Sequence, residues 1–351
     1  MAEDSQHKDS KAEQPLAIKV IGVGGGGCNI LRLLAANPTP GVEYLACNTH
    51  GRSSDGSLAR FTFLEIGRSV RIPWPSGEFK IESGRLRAEC PWFLRELKYH
   101  LKGADLVIMT IGMGGVTGTG GAPVIARVVK EMGIPLLAVV NTPYSFEGAH
   151  RSECAAKGIQ DLKPYVDNII VVPCDFALRS IDKDAPISRA FSLLDEIMVQ
   201  AITNLTKLTN VPGLINVDLA DVARVLRIPG GSTIAFGSGT HPEHPALDAA
   251  EKAVGNTVQP VDLARARGAI VSFSGGYDIA TSDYVEALDF ITGKLHPGVD
   301  PKNTLAFGIE VDKSLGNTAK VTLVVTGIEP PPSIHSRPNN WLKKLTSKMR
   351  T

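Results

Sequence analysis

Two glycine-rich segments are the parts of this sequence best suited to chemistry on a bound ligand. One is Gly22-Val-Gly24-Gly25-Gly26-Gly27-Cys28-Asn29, and the other is Gly112-Met-Gly114-Gly115-Val-Thr117-Gly118-Thr119-Gly120. Glycine lets backbone N–H groups approach phosphate oxygens, and the start of a helix adds a favourable dipole. Two such segments at the ends of parallel strands can hold one polyphosphate from two sides. The sequence therefore predicts a phosphate-binding site.

The hydroxyl groups of Thr117 and Thr119 add hydrogen-bond donors to this predicted site. The glycines could instead form only tight turns, but nine residues with five glycines are costly to order without a ligand. The candidate ligand-binding residues of the two segments are Gly24, Gly25, Gly26, Gly27, Cys28, Asn29, Gly112, Gly114, Gly115, Val116, Thr117, Gly118, Thr119 and Gly120.

The first glycine segment also allows a different ligand. Gly22, Gly24 and Gly27 satisfy the G-x-G-x-x-G spacing of dinucleotide-binding proteins, so an NAD-dependent oxidoreductase is a remote alternative. Such a site requires an acidic residue at the end of the second strand to bind the ribose. Here that strand ends in Cys47-Asn48-Thr49-His50, and Glu43 lies at its start. The second glycine segment therefore favours a polyphosphate.

Apolar runs separated by helical stretches predict the elements that position these segments. The runs lie at 16–23, 42–47, 104–111, 134–140 and 167–173. Strands that alternate with helices predict βαβ units and a doubly wound parallel sheet. Residues 188–209 have apolar side chains at helical spacing and predict one long helix.

The second half of the chain has turns and apolar runs of its own. Strands are predicted near 231–238, 266–274, 303–311 and 318–327, with helices near 218–227, 246–255 and 281–293. The predicted fold class is α/β: a doubly wound parallel-sheet nucleotide-binding domain joined by a long core helix to a second, smaller α/β domain. The predicted bounds are 1–15 for a disordered tail, 16–187 for the first domain, 188–209 for the helix, 210–328 for the second domain, 329–340 for a linker and 341–351 for a basic tail.

Composition excludes several classes of protein. The chain has 37 basic and 36 acidic side chains, so no net field attracts it to nucleic acid. Five cysteines without a C-x-x-C pair indicate neither a disulfide framework nor a zinc site, and His241 and His244 have no evident third ligand. No apolar run reaches the roughly 18 residues of a membrane span, and the polar start lacks a signal-peptide core. A cytoplasmic protein without a metal cluster is predicted.

With these motifs in this order, the sequence resembles the FtsZ/tubulin superfamily, and FtsZ more closely than tubulin. Gly24–Asn29 and Gly114–Gly120 are similar to the two glycine loops of that family. Asn141–Arg151 is similar to its P-F-x-F-E-G-x-x-R loop, in which the glutamate binds the ribose and the arginine reaches a phosphate. The resemblance thus implies these roles for Glu147 and Arg151.

The resemblance also implies GTP and GDP as ligands, Mg²⁺ as the accompanying ion, and head-to-tail polymerisation with copies of the same chain. Gly213–Val222 is similar to the family's N-x-D-F-A-D loop, which contacts the nucleotide of the next subunit. Asn216, Asp218 and Asp221 are therefore the candidate catalytic residues. Carboxylates three residues apart at a helix start share one face and can orient a water molecule. The alternative is that Asp218 only caps the helix.

Departures from the family pattern bear on hydrolysis. Residues 72–85 replace a glycine- and alanine-rich γ-phosphate loop with bulky and charged residues, which leaves Lys80, Arg85 or Arg87 as phosphate contacts or as solvated charges. This change motivates an alternative function, a nucleotide-dependent scaffold filament with little or no GTPase activity. The acid that usually closes the second strand is His50.

Another departure concerns recognition of the base. The family's Asn-Asp pair appears as Cys174-Asp175, and a thiol is a poor hydrogen-bond partner. Phe191 keeps the stacking position, and Glu196 replaces an aspartate that accepts from guanine N1 and N2. The neighbouring Asp195 is a further candidate for the base site. Guanine remains favoured over adenine.

The last eleven residues, 341–351, predict a short amphipathic helix with a basic face. The apolar stripe of this helix consists of Trp341, Leu342, Leu345 and Met349. Its basic residues are Lys343, Lys344, Lys348 and Arg350. The predicted partner is an anionic membrane surface, and the alternative is a membrane-tethering protein.

Overall fold

The structure, a computed structural model, describes residues 16–49, 61–67, 80–182, 184–211, 213–300 and 302–328. The predictions for residues 1–15, for His50, for most of the 72–85 stretch and for the linker and basic tail at 329–351 lie outside these residues.

Strands and helices alternate along the described residues. The strands are β1 (Ile18–Val23), β2 (Val42–Asn48), β3 (Thr62–Glu65), β4 (Leu106–Gly112), β5 (Leu136–Thr142), β6 (Asn168–Pro173), β7 (Gly231–Gly239), β8 (Gly268–Gly275), β9 (Leu305–Val311) and β10 (Ala319–Ile328). The α-helices are α1 (Gly24–Ala36), α2 (Lys80–Ala88), α3 (Pro91–Leu101), α4 (Val116–Glu131), α5 (Ala149–Leu162), α6 (Cys174–Arg179), α7 (Ile187–Asn210), α8 (Leu219–Leu226), α9 (Pro245–Gly255) and α10 (Thr281–Thr292).

The described strands form one sheet in the order β3-β2-β1-β4-β5-β6-β7-β10-β8-β9. The first six pair in parallel, in the 3-2-1-4-5-6 order of doubly wound nucleotide-binding folds. The direction of winding reverses between β1 and β4. In open sheets of this kind, ligands bind at the carboxyl ends of the strands beside that reversal.

Helices cover both faces of the parallel half, which explains why its strands read as continuous apolar runs. In β1 all six residues are buried. Ile18 and Val20 pack in one cluster with α1 and α7, whereas Ile21 and Val23 pack on the opposite face with α3 and α4. Among the helices of the described residues, none combines the length and apolar character needed to cross a bilayer.

Helix α7 connects the two ends of the parallel sheet. It has 24 residues and is therefore about 36 Å long at 1.5 Å per residue. Near its start, the ring of Phe191 contacts Tyr144, which follows the carboxyl end of β5. At its end, Asn210 donates hydrogen bonds to the carbonyls of Leu16 and Pro40, which precede β1 and β2. The helix thus runs from the carboxyl edge of the sheet to its amino edge.

The second half has a mixed sheet and a separate apolar core. Strand β10 pairs antiparallel with β7 and β8, and β8 pairs parallel with β9. A single register pair, Ile170 with Ser232, joins β6 to β7, so the two halves share one sheet. The α/β fold class with a doubly wound parallel half and a smaller second half is confirmed.

Three local differences from the sequence prediction concern the first half. Gly121-Ala-Pro123 in the sequence predicts a helix that opens near Gly121, whereas helix α4 begins at Val116. The glycines of its first turns do not break it, because they permit close packing against the backbone of β4 and α2. Part of the stretch expected as a substitute for the γ-phosphate loop forms helix α2. The edge strand β3 has only four residues and was not predicted.

Candidate functional site

The two glycine segments meet at the carboxyl ends of β1 and β4. Gly24 has a φ of +70°, and a β-carbon on it would lie 2.8 Å from the nitrogen of Gly118. A β-carbon on Gly118 would clash with the carbonyl oxygen of Gly112, and one on Gly26 would lie 3.2 Å from the Cα of Gly112. Bare backbone therefore packs on bare backbone here, which only glycine permits. The fold brings the two glycine segments into contact, and we call the resulting surface the glycine crevice (residues 22–29 and 112–120).

The open side of the glycine crevice suits an anion. Gly25 and Gly115 are exposed, and a β-carbon on either would meet nothing within 4 Å. Helices α1 and α4 both begin at this edge, and neither has an acidic residue in its first turn. Two helix N-termini with unpaired backbone N–H groups attract negative charge. A polyphosphate is the ligand class that the crevice can bind.

The two threonines of the second segment have different surroundings. Thr119 is buried, and its hydroxyl accepts a hydrogen bond of 2.8 Å from the backbone nitrogen of Gly114, so it shapes the loop from inside. Thr117 is half-buried, and its hydroxyl lies 3.2 Å from that of Thr49, just beyond the end of β2. Thr117 is therefore the better placed of the two for a ligand contact. No motif in the sequence singled out Thr49.

Cys28 and Asn29 continue the first turns of α1. The thiol of Cys28 faces inward and donates to the carbonyls of Gly22 and Cys47, at 3.5 and 3.9 Å. Burial raises the pKa of this thiol to about 11, which keeps it neutral near pH 7. Asn29 is exposed at the rim of the crevice.

Helix α2 packs directly on the start of α4. A β-carbon on Gly84 would clash with the carbonyl of Val116, and one on Gly120 would clash with the carbonyl of Ile81. Arg85 on this helix is exposed, and Arg87 is half-buried beside Gly67. The rear of the glycine crevice is therefore supported by a helix.

The loop after β5 contains the residues predicted to bind ribose and phosphate. One carboxylate oxygen of Glu147 accepts from the backbone nitrogen of Tyr144 at 2.9 Å, and the other accepts from the guanidinium of Arg151. Arg151 is exposed, whereas Glu147 is half-buried. The two predicted ligand contacts are thus paired with each other at the edge of the crevice.

Cys174 and Asp175 lie at the start of α6, and both are engaged by the neighbouring loop. The sulfur of Cys174 accepts from the amide of Asn141 at 3.4 Å, and Asp175 accepts from the backbone nitrogen of Ser145 at 2.9 Å. Burial raises the pKa of the Cys174 thiol to about 12. These residues anchor the loop after β5, a role that the sequence did not suggest for Asn141.

The first turns of α7 provide an aromatic surface and a carboxylate. The side chain of Phe191 is 48% exposed and offers a ring face for stacking. Asp195 lies one turn later on the same face, is half-buried, and has its pKa raised by desolvation. Glu196 instead is exposed and forms an ion pair of 2.8 Å with Arg189. The helix therefore presents Asp195, rather than Glu196, on the side of Phe191.

The loop with the three predicted catalytic residues is held by side-chain hydrogen bonds and an ion pair, unlike the glycine crevice. The amide oxygen of Asn216 accepts from the nitrogen of Gly213 at 2.7 Å, and Asp218 caps α8 by accepting from Ala220 at 3.1 Å. Asp221 pairs with Arg224 at 2.6 Å, and both side chains remain nearly half exposed. The capping role considered for Asp218 is therefore present, and it leaves the second oxygen of that carboxylate available.

This acidic loop (213–221) and the glycine crevice lie at opposite ends of the first half of the chain. The acidic loop follows the end of α7, next to the amino edge of the sheet, and the crevice lies at the carboxyl edge. The length of α7, about 36 Å, separates them. Carboxylates in this loop cannot reach a phosphate bound in the crevice of the same chain.

Metal ligation within the described residues is limited. They contain no group of three or more histidine, cysteine, aspartate or glutamate side chains arranged to hold a metal ion. His244 lies instead near the carboxylates of Asp283 and Glu286, at 3.8 and 3.6 Å. Mg²⁺ commonly takes most of its ligands from nucleotide phosphates and water, so this arrangement is compatible with an ion that arrives with a nucleotide.

Fold and site together define a class: a doubly wound α/β protein with a glycine crevice at the reversal of its sheet. Residues 17–182 match the Tubulin/FtsZ family, GTPase domain, and residues 230–329 match the FtsZ family, C-terminal domain. Cell division protein FtsZ 1 of Thermococcus kodakarensis is 35% identical over 317 residues, which cover 90% of this chain and 82% of that protein. The chain belongs to the Tubulin/FtsZ family of cytoskeletal GTPases.

Solved structures show the same relationship. An empty FtsZ dimer of M. jannaschii has a TM-score of 0.79 at 31% identity, covering 90% of this chain and 89% of that chain. CetZ2 from Haloferax volcanii, solved as a GTPγS-bound protofilament, has a TM-score of 0.72 at 18% identity, covering 96% of this chain and all of that one. The second likeness shows the fold alone.

Proposed function

We propose that this chain binds GTP and GDP in the glycine crevice, polymerises head to tail, and hydrolyses GTP at the junction between subunits. The observation that carries the proposal is the placement of the crevice and the acidic loop at opposite ends of α7. A chain with half a site at each end completes the site only by stacking on another copy. Such stacking is heterologous and generates an open filament.

Within one subunit, different residues bind the phosphates, the base and the ribose of the nucleotide. Backbone N–H groups at the starts of α1 and α4 hold the phosphates, and Thr117 adds a hydroxyl. Phe191 stacks on the base, and Asp195 accepts hydrogen bonds from its edge. Glu147 binds the ribose, and Arg151 turns from Glu147 toward a phosphate. Mg²⁺, when bound with the nucleotide, offsets the phosphate charge.

At the junction, the acidic loop of the next subunit supplies what the crevice lacks. Asp221 orients the attacking water and accepts its proton, which requires its present partner Arg224 to move aside. Asp218 adds negative potential while it continues to cap α8, and the Asn216 amide holds the same water. Leu214, 71% exposed beside these residues, is available for burial against the neighbouring subunit. Hydrolysis is thereby coupled to assembly.

The experiment that tests this proposal measures assembly and phosphate release in one sample. We expect filaments in sedimentation and electron microscopy with GTP and with a non-hydrolysable analogue, and not with GDP. Phosphate release per subunit should rise with protein concentration as junctions form. GTP turnover that is independent of concentration down to the monomeric range would contradict a site completed by a second copy.

One observation favours a second candidate function, a nucleotide-dependent scaffold that hydrolyses slowly. Helix α2, with the exposed Arg85, occupies part of the stretch whose bulky and charged residues replace the family's glycine-rich γ-phosphate loop. Filaments that assemble with GTP and release almost no phosphate would support this alternative. Nicotinamide-nucleotide binding would instead support the remote oxidoreductase alternative.

A membrane role is part of the proposal and rests on the sequence of residues 341–351, which lie outside the described residues. We propose that this basic tail binds an anionic membrane surface from the cytoplasm. The alternative partner is a membrane-tethering protein. Deletion of 340–351, or Leu345→Glu, should abolish sedimentation with anionic liposomes and leave filaments and GTP turnover nearly unchanged. Added salt should weaken the binding. Assembled wild-type protein that ignores the liposomes would indicate the tethering protein.

A further inference from the structure

The hydroxyl group of Tyr144 is one of several buried polar groups among the described residues that the proposed function does not use. Tyr144 is 1% exposed, and its hydroxyl has no hydrogen-bond partner among the described residues. Leaving such a group unsatisfied destabilises the folded state. The family motif quoted above, P-F-x-F-E-G, has phenylalanine at this position, so the hydroxyl is an addition of this chain to an otherwise apolar ring.

The ring of Tyr144 lies against the surface proposed to bind the base. It stacks on Phe146 with centroids 5.0 Å apart and contacts the edge of Phe191 at 5.0 Å. Tyr144 also belongs to the apolar cluster that contains Cys174 and Leu194, just beneath that surface. Its hydroxyl is therefore enclosed between the loop after β5, the start of α6 and the first turns of α7.

The groups around this hydroxyl are acceptors, so it acts as a donor. Burial is the largest cause of a raised Tyr144 pKa, and the neighbouring titratable groups of Cys174, Asp195, Glu147 and Asp175 raise it further. The side chains of Glu147, Asp175 and Cys174 already accept hydrogen bonds from the loop after β5. The carboxylate of Asp195 accepts none from the described residues, and it lies one helical turn from Phe191 on the same face of α7.

We propose that Tyr144 is a positioning residue for base recognition: when a nucleotide binds, Asp195 turns so that one carboxylate oxygen accepts from this hydroxyl, a bond that is not formed in the described structure, and the other oxygen faces N1–H and the 2-amino group of guanine. This inference rests on the proposed binding of guanine nucleotides in the crevice. An ionised carboxylate has about four acceptor positions, enough for the tyrosine and for both donors of guanine. The hydroxyl also compensates for the weak hydrogen bonding of Cys174 at the same site.

The test compares GDP with IDP, whose base lacks the 2-amino group, by calorimetric titration of the full chain. Diphosphates avoid turnover during the measurement. We expect the wild type to prefer GDP, and Tyr144→Phe to lower that preference about tenfold, since a hydrogen bond to a charged group is at stake. A role in packing alone would change thermal stability or both affinities and leave the ratio of the two affinities unchanged.

Two further variants separate the explanations. Tyr284→Phe removes another buried hydroxyl without a partner among the described residues, located in the core of the second half, and should leave the ratio at the wild-type value. Asp195→Asn should lower the GDP preference by itself, and Tyr144→Phe should then add no further effect. An unchanged ratio in Tyr144→Phe, or an undiminished effect of that change beside Asp195→Asn, would overturn the inference. A wild type that binds neither nucleotide would instead overturn the proposed function.

Discussion

The glycine crevice and the acidic loop differ in what they are made of. In the crevice, backbone packs against backbone, and Gly24, Gly112 and Gly118 leave no room for side chains. In the acidic loop, exposed side chains make local hydrogen bonds and ion pairs that have to rearrange before they can act elsewhere. The shape of the crevice is set by its own backbone contacts, whereas the polar groups of the acidic loop are paired locally and would have to exchange partners if a second subunit docked there. Substitutions that add side-chain volume should therefore impair the glycine crevice. Substitutions that remove charge should impair the acidic loop.

The largest effect is expected from Gly118→Val, which breaks the crevice by shape. Its β-carbon would clash with the carbonyl of Gly112 and displace the N–H groups at the start of α4. Loss of two or more charged hydrogen bonds should weaken GTP binding by more than about a hundredfold. Calorimetric titration measures the affinity, and circular dichroism checks the fold. Undiminished affinity would remove the phosphate-binding assignment of this segment.

A narrower effect, confined to turnover with binding intact, is expected from Asp221→Ala. The variant should bind GTP normally and hydrolyse it roughly 10²- to 10⁴-fold more slowly, because the residue that orients the water is missing. Asp262→Ala is the matched control, since Asp262 also pairs with an arginine three residues on, Arg265, and should turn over GTP like the wild type. Normal turnover by Asp221→Ala under assembling conditions would contradict a catalytic role.

A mixture of the Gly118→Val and Asp221→Ala variants tests whether the crevice and the acidic loop of different subunits act together. A subunit with Gly118→Val retains an intact acidic loop, and one with Asp221→Ala retains an intact crevice. Together they should recover part of the GTPase activity that neither shows alone. The absence of any recovery, with both variants co-sedimenting in filaments, would place the hydrolytic residues elsewhere.

The smallest of these effects is expected from Gly25→Ala. Its β-carbon meets no protein atom within 4 Å, so thermal stability should remain unchanged. The same methyl group projects into the space proposed for a phosphate, and the affinity for GDP should fall about tenfold. Gly255→Ala, another glycine with open space around it, should alter neither quantity. Equal affinities for both variants would show that phosphate does not approach Gly25.

The sequence predicted the parallel half well because burial on both faces makes its strands apolar throughout, as in β1. It missed β3, a four-residue edge strand with little apolar signal, and misplaced the start of α4, where glycines serve packing rather than a turn. The candidate residues of the crevice do converge. Recognising Tyr144 required coordinates, because a buried hydroxyl without a partner has no signature in the sequence.

Asp195 and Glu196 show what helix spacing decides and what it does not. Adjacent acids on a helix differ by about 100° in direction, so the spacing of four residues already places Asp195 on the face of Phe191, and the structure adds that Glu196 pairs with Arg189. The catalytic assignment of Asn216, Asp218 and Asp221 remains a prediction. Their proposed target belongs to another copy of the chain, so the fold of one chain does not bring them to it.

Under the proposed arrangement, the separation of the crevice and the acidic loop by α7 determines how many complete sites a row of subunits contains. A row of n subunits contains n − 1 completed sites, because one terminal crevice and one terminal acidic loop have no neighbour. Activity per subunit then grows as (n − 1)/n, steeply for the first few additions and hardly at all thereafter. The two ends of every row are chemically different, since one offers an open crevice and the other only carboxylates. Nucleotide can therefore be replaced freely at one end of the row alone.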